Sequence, residues 1–403
     1  MYMSASAQFS ISDYEELNHT HYLSFEGQSL FFSNSVSTKT LRSFYGNNYI
    51  DNATKESVNY RKQIYGISDI SGGLQYIWVP DTQKCKIGVY VNAGTRHIRA
   101  GNLAPAFYEL AMFGNSRFAG EYANLSNSRF LFIDYQKLSL GISARLSSDS
   151  SRSFAAFHIS PVKGQRYMEG ETAKMSFYTS ELGELLSLQA EAVYFSSDQS
   201  HRRNQDFAGT GFAAGAMLYI HNPERKFWIY TSVSDIGSIK WKHKSYRTYI
   251  DTSMYFSGIF IDNVFSFDTS LLHLSSDTLN KLLQTFTDTF AFKRSLPETF
   301  YLEGGKYFPS HKITVSGSMQ YTSRTGMPWP RIQAGVSYSI NNYFKPYISV
   351  SHGGLGRFSC GAGISSCPFP RISIHICTPD LLAFMLPAYS YANGVWLKMS
   401  YKM

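Results

Sequence analysis

Alternation of apolar and small polar residues, sustained over successive segments, constrains this chain more than any other feature. Between His311 and Tyr321, Ile313, Val315, Gly317, Met319 and Tyr321 share one face, and Thr314, Ser316, Ser318 and Gln320 share the other. The next segment opposes Ile332, Ala334, Val336, Tyr338 and Ile340 to Gln333, Gly335, Ser337 and Ser339, and a third sets Ile348 and Val350 against Tyr347, Ser349 and Ser351. A period of two is strand geometry. The polar face then decides the class. A soluble sandwich would hold water with Lys, Glu and Thr, whereas Ser, Gln and Gly suit a confined lumen and Ile, Val, Met and Ala suit lipid tails. The expected fold is all-β: a transmembrane antiparallel β-barrel with Tyr, Trp and Phe at its two interfaces.

Composition agrees. Of the 403 residues only 16% are charged, against about 25% in an average soluble domain. The 30 Phe, 29 Tyr and 5 Trp exclude disorder. The longest apolar stretches, Phe212 to Ile220 and Leu381 to Ala388, are about half the roughly 18 residues of a membrane helix. The net charge of +8 is scattered, with Lys240 to Arg247 its one concentration, so no nucleic-acid partner is expected. Cysteines at 85, 360, 367 and 377 lack zinc-site spacing. A Cys360–Cys367 bridge and two small buried side chains remain alternatives.

About 14 strands are expected between residues 70 and 403, an even number as single-chain bacterial barrels require. Val395, Leu397, Met399, Tyr401 and Met403 alternate to the last residue, which predicts a closing strand paired with the first. Such barrels usually end in an aromatic, and Met403 departs from that. Three stretches read as helical: Asn102 to Phe113, Asp277 to Phe290, and the turn opened by Thr378-Pro379-Asp380. Ala5-Ser6-Ala7 has the small-x-small pattern of a cleavage site without the preceding apolar region. Residues 1–7 are therefore assigned to a signal-peptide remnant, 8–69 to a lumen plug or first strand, and 70–403 to the barrel.

Neither a nucleophile elbow, a zinc helix nor a nucleotide loop appears. The chain is expected to be no enzyme and to need no cofactor or metal, with no catalytic residue assigned. Because a Lys or Arg on the lipid face costs about 2–4 kcal/mol at midplane, charged and amide side chains on strands should face the lumen. Gln189, Glu191, Glu303, Gln320, Gln333, Ser337 and Lys398 are the candidate lumen-facing polar residues on this ground.

Leu110-Ala111-Met112-Phe113-Gly114-Asn115-Ser116-Arg117-Phe118-Ala119-Gly120, with Tyr135 to Gly141 after it, and then Ser234-Asp235-Ile236-Gly237-Ser238-Ile239-Lys240-Trp241, resemble the motifs of a Bacteroidetes-type outer-membrane barrel family known only as a domain of unknown function. That family is similar in architecture to long-chain fatty-acid transporter barrels and to the shuttle barrel of a secretion system. The resemblance implies a 14-stranded barrel in the outer membrane of a Gram-negative bacterium, with Gly114 and Asn115 in a turn after a helix and Trp241 at the membrane interface. It implies no catalytic residues. Two functions are then expected to compete. One is a conduit or binding barrel for small hydrophobic molecules, in contact with outer-membrane lipid. The other is a non-transporting barrel that docks proteins of a secretion or envelope-assembly complex, with Ile239 to Leu296 as the candidate surface.

Overall fold

The computed structural model describes residues 21–46, 49–60, 62–78, 87–146, 153–198, 207–242, 244–257, 286–341, 343–369 and 371–402. In chain order the first strands are β1 (His21–Ser33), β2 (Ile64–Trp78), β3 (Ile87–Leu103), β4 (Tyr122–Asn124), β5 (Ser128–Arg145), β6 (Phe154–Thr179), β7 (Leu186–Ser196) and β8 (Gly209–Asn222). They continue as β9 (Phe227–Trp241), β10 (Tyr246–Phe256), β11 (Phe286–Thr289), β12 (Lys293–Ser295), β13 (Thr299–Phe308) and β14 (Ile313–Thr322). The last are β15 (Arg331–Tyr338), β16 (Phe344–Gly353), β17 (Gly356–Phe369), β18 (Ile372–Thr378) and β19 (Ala392–Lys402).

Fourteen of these close an antiparallel barrel in the order β1, β2, β3, β5, β6, β8, β9, β13 to β19. Closure comes from β19 lying along β1, from Tyr22 opposite Lys402 to Phe32 opposite Ala392. The wall therefore has no free edge, which is the condition for a sheet to cross lipid. The wall begins at His21, so part of the segment assigned to a plug or first strand is wall.

Alternation sets the two surfaces. Phe157, Ile159, Ile332 and Ile348 are each more than half exposed on the outside, while Ser349, Ser351, Ser373 and Ser400 are buried inside. One end of the barrel has short connections, 222–227, 308–313 and 369–372, and the other has long ones. In outer-membrane barrels the short turns are periplasmic and the long loops extracellular.

The long-loop end carries α1 (Thr38–Tyr45), α2 (Asn52–Glu56), α3 (Pro105–Phe113) and α4 (Leu382–Met385). Proline at its first turn starts α3, and Gly114, at φ 77°, ends it, so the turn expected at Gly114-Asn115 is present. Strand β3 takes Asn102 and Leu103, and the helix expected there starts at Pro105. Asp380 accepts from the Leu382 backbone N–H at 3.2 Å at the start of α4. The helix expected over Asp277–Phe290 lies outside the described residues as far as 285, and its end is strand β11 instead. Phe286 and Phe290 were spaced for a helix, but cross-strand pairing with β10 claims Phe286 to Thr289. Cys360 is a free thiol, so the bridge to Cys367 is not formed. Seven is an odd separation on one strand, which turns the two side chains to opposite faces.

One glycine in the wall is required by what lies beside it. A Cβ on Gly164 would sit 2.5 Å from the Trp241 ring. Gly164→Val is expected to displace that ring and lower stability by about 1–3 kcal/mol, read as a lower temperature for loss of the compact, heat-modifiable band on gels.

Candidate functional site in the barrel interior

The lumen is filled in layers. Toward the short turns, Tyr90, Phe154, Tyr219, Trp228, Tyr230 and Trp396 pack together. Toward the long loops, Ile98, Ile133, Tyr167, Ile239, Trp241 and Leu296 do the same. Trp241 is fully buried here, with its ring centroid 5.2 Å from that of Tyr167. It therefore does not anchor at the membrane interface. The reason is a bulge in β9. The register against β8 shifts between Ala214 and Ala216, and Asp235 adopts the left-handed conformation at φ 62°, which Asp tolerates better than most residues. Before the bulge even-numbered residues point inward, and after it odd-numbered ones do.

The bulge also turns Asp235 into the lumen, where it is the centre of a charged network between the two apolar layers. Its carboxylate accepts from Arg96 at 3.0 Å, Lys137 Nζ at 2.6 Å and the Tyr135 hydroxyl at 2.9 Å. Arg96 also donates to both oxygens of Asp69, at 2.7 and 3.3 Å, and to Thr299 Oγ1 at 3.2 Å. Two carboxylates face two cations, so the network is neutral, and its side chains are 1–19% exposed. Charges taken out of water need partners of this quality to persist. Above it, Glu169 accepts from three guanidiniums, those of Arg129, Arg294 and Arg324, and from the Tyr167 hydroxyl at 2.7 Å. Three cations on one anion give this cluster a net positive charge.

Of the residues predicted to face the lumen, Glu303, Ser337 and Lys398 are buried in it, with Glu303 accepting from the Tyr301 hydroxyl at 2.9 Å. Gln320 and Gln333 point inward and are half-buried. Gln189 and Glu191 are not in the barrel. They lie on β7, which pairs with the far half of β6 and with β10 beyond the wall. Alternation gives the two faces of a strand but not whether the strand belongs to the wall, and at 26 residues β6 overshoots it. The central residues Asp69, Arg96, Lys137 and Asp235 were missed. Strand charges demanding an inward partner were the available signal, since all four sit within strand-length segments.

A cavity of about 50 Å³ adjoins this network, lined among others by Glu26, Gln75, Arg96 and Asp235. On the outer surface behind it runs a groove of about 750 Å³, lined by Phe25, Leu74, Ala93, Leu138 and Pro161. Five residues, Gly72, Gly73, Gly94, Thr95 and Lys137, line both. Gly73 opposes Gly94 across the β2–β3 pair, and Gly72 opposes Gly27 across β1–β2. At this height little more than backbone separates the lumen from the outer surface.

A family model described as a family of unknown function (DUF5723) matches residues 24–373. The chain belongs to that family. The DUF5723 match covers the wall from β1 into β18. No curated protein matches the chain by sequence. Among solved structures, a deltaS2S3 mutant of the monoaromatic hydrocarbon channel TodX is 9% identical, with 95% of this chain and 90% of that one covered and a TM-score of 0.46. The translocator domain of the autotransporter NalP from Neisseria meningitidis is 7% identical over 97% and 92%, with a TM-score of 0.39. A Pseudomonas aeruginosa FadL homologue is 12% identical over 95% and 89%, with a TM-score of 0.36. With all three scores below 0.5, the fold of this DUF5723 member rests on its own closed sheet.

Proposed function

We propose that this barrel resides in the outer membrane of a Gram-negative bacterium, of the Bacteroidetes type its motifs resemble, and handles small hydrophobic molecules through its wall. The observation that carries this is the set of five residues shared by the lumen cavity and the lipid-facing groove. A continuous water-filled pore fits poorly with an interior closed above and below by buried aromatic layers. An apolar molecule, by contrast, gains from a concave apolar surface, and the glycine seam supplies one next to the lumen. Passage between the two needs the Lys137–Asp235 contact to shift. No cofactor and no catalytic step enter it.

Gly72 faces the groove, and a Cβ there would meet no atom nearer than 3.6 Å. Gly72→Phe is therefore expected to fold normally and to fill the groove. In vesicles carrying the purified barrel, uptake of a fluorescent apolar probe should fall about tenfold while heat-modifiable migration stays unchanged. Unchanged uptake would remove the groove from the route.

A second reading, a barrel that docks proteins, draws on the sheet beyond the wall. There β7, β10 and β11 continue from β6, and Leu182, Tyr255, Phe256 and Phe286 are exposed near its end.

A further inference from the structure

The outward face of the wall changes character abruptly on one side of the barrel. Along β6 the outward residues run Phe157, Ile159, Pro161 and then Lys163, with Arg166 beyond it. Along β9 they run Ile229, Thr231, Val233, Ile236, Ser238 and then Lys240. The rungs join these positions directly: Lys163 opposes Thr210 on β8, Thr210 opposes Lys240, and Lys240 opposes Lys293 on β12. Strands lie about 4.8 Å apart, so the three lysines span roughly 15 Å of wall, with Arg166 at one flank.

All four cations are exposed, and none has an ion pair among the described residues. The neighbouring outward carboxylate, Asp134, is taken by Arg99 at 2.6 Å and His97 at 3.0 Å. The rim across the barrel is different, carrying exposed Trp329 and Phe358. Four uncompensated charges at the boundary of an apolar belt, on one side only, are not explained by solubility, which would distribute them.

Below the lysines a second outer groove runs over β8, β9, β13 and β14. It has a volume of about 500 Å³ and is lined by Ala216, Leu218, Thr231, Val233, Phe300 and Leu302 among others. Val233 is seven residues below Lys240, which at strand rise and a tilt of about 40° is about 18 Å along the membrane normal. That depth is on the order of a fatty-acyl chain, at roughly 1.3 Å per methylene.

We propose that the outer face centred on β8 and β9 is a binding site for a phosphorylated lipid, its anionic headgroup on Lys163 and Arg166 of β6, Lys240 of β9 and Lys293 of β12, and an acyl chain in the groove below. Phosphate oxygens accept from several ammonium and guanidinium donors at once, and the charge sits where a headgroup lies when its chain follows the apolar belt. The site rests on the membrane-spanning reading of the barrel but not on passage of molecules through its wall; Lys163 also lines the groove beside the lumen, so the variants that separate the two leave Lys163 in place.

The test is native mass spectrometry of the barrel in neutral detergent, titrated with diphosphoryl lipid A and, separately, with the same lipid stripped of its phosphates. Wild type should retain the phosphorylated lipid and release it as salt rises. The Lys240→Gln, Lys293→Gln double variant should bind it about 30-fold more weakly, at about 1 kcal/mol per cation near a charged surface. The corresponding Arg double should retain it. Heat-modifiable migration and apolar-probe uptake should be unchanged in both, which separates failure of this site from failure of the conduit. Equal retention of the dephosphorylated lipid, salt-insensitive retention by wild type, undiminished retention by the Gln double, or displacement by millimolar inorganic phosphate alone would each overturn the proposal. The salt titration needs no variant to fold.

Discussion

Arg96→Met is expected to be the most damaging single change in the interior, costing about 3–5 kcal/mol. Among the described residues, the side chain removed is the only one that bonds to both Asp69 and Asp235. Its loss leaves two buried carboxylates facing the single ammonium of Lys137, and Asp69 loses both of its hydrogen bonds to Arg96. An uncompensated charge in a packed interior costs more than the intact pair ever contributed, because desolvation is no longer offset. The measurement is the denaturant midpoint for unfolding from lipid vesicles. Adding Asp69→Asn to the Arg96→Met variant removes the surplus charge and should recover a large part of the loss. If the single variant is as stable as wild type, the network is not what holds the middle of the barrel.

The second large effect contrasts adjacent residues. Ile332 is 61% exposed on the outer surface of β15, and Gln333 points into the lumen. Ile332→Arg places a guanidinium in the apolar belt and should cost about 2–4 kcal/mol, with assembly into membranes falling in proportion. Gln333→Arg keeps its charge among the Ser and Gln of the interior and should assemble much closer to wild-type yield. Similar losses at the two positions would mean that the inside and outside of β15 are exchanged.

The wall was legible in the sequence because a strand's two faces meet different media. Ile313 to Tyr321 and Ile332 to Ile340 alternate without a break, and the structure puts their apolar sets outside. The strand number, fourteen, was legible for the same reason, but it was counted over residues 70–403, whereas β1 and the start of β2 lie before residue 70. What period two does not carry is which strands close on one another. Gln189 and Glu191 alternate as cleanly as wall residues, yet β7 pairs with the part of β6 that has already left the barrel. Nor does it show a bulge: Asp235 inverts the phase of β9, and Trp241, read as an interface anchor, is carried into the lumen. The Asp277–Phe290 pattern failed where the structure describes it, at β11, because pairing with β10 outweighed local spacing. The charged centre was the least legible part. Asp69, Arg96, Lys137 and Asp235 come from four strands, β2, β3, β5 and β9, and only closure of the barrel brings them together.

The central claim is a closed barrel that handles apolar molecules without an open pore. Its most direct test is purification of the tagged protein in gentle detergent from its own membrane, with mass spectrometry of the extracted small molecules and of co-purifying proteins. The expected result is a heat-modifiable barrel that carries an apolar small molecule, present in wild type and depleted in Gly72→Phe. A stoichiometric protein partner with no bound apolar molecule would contradict it and move the function to the exposed sheet beyond the wall.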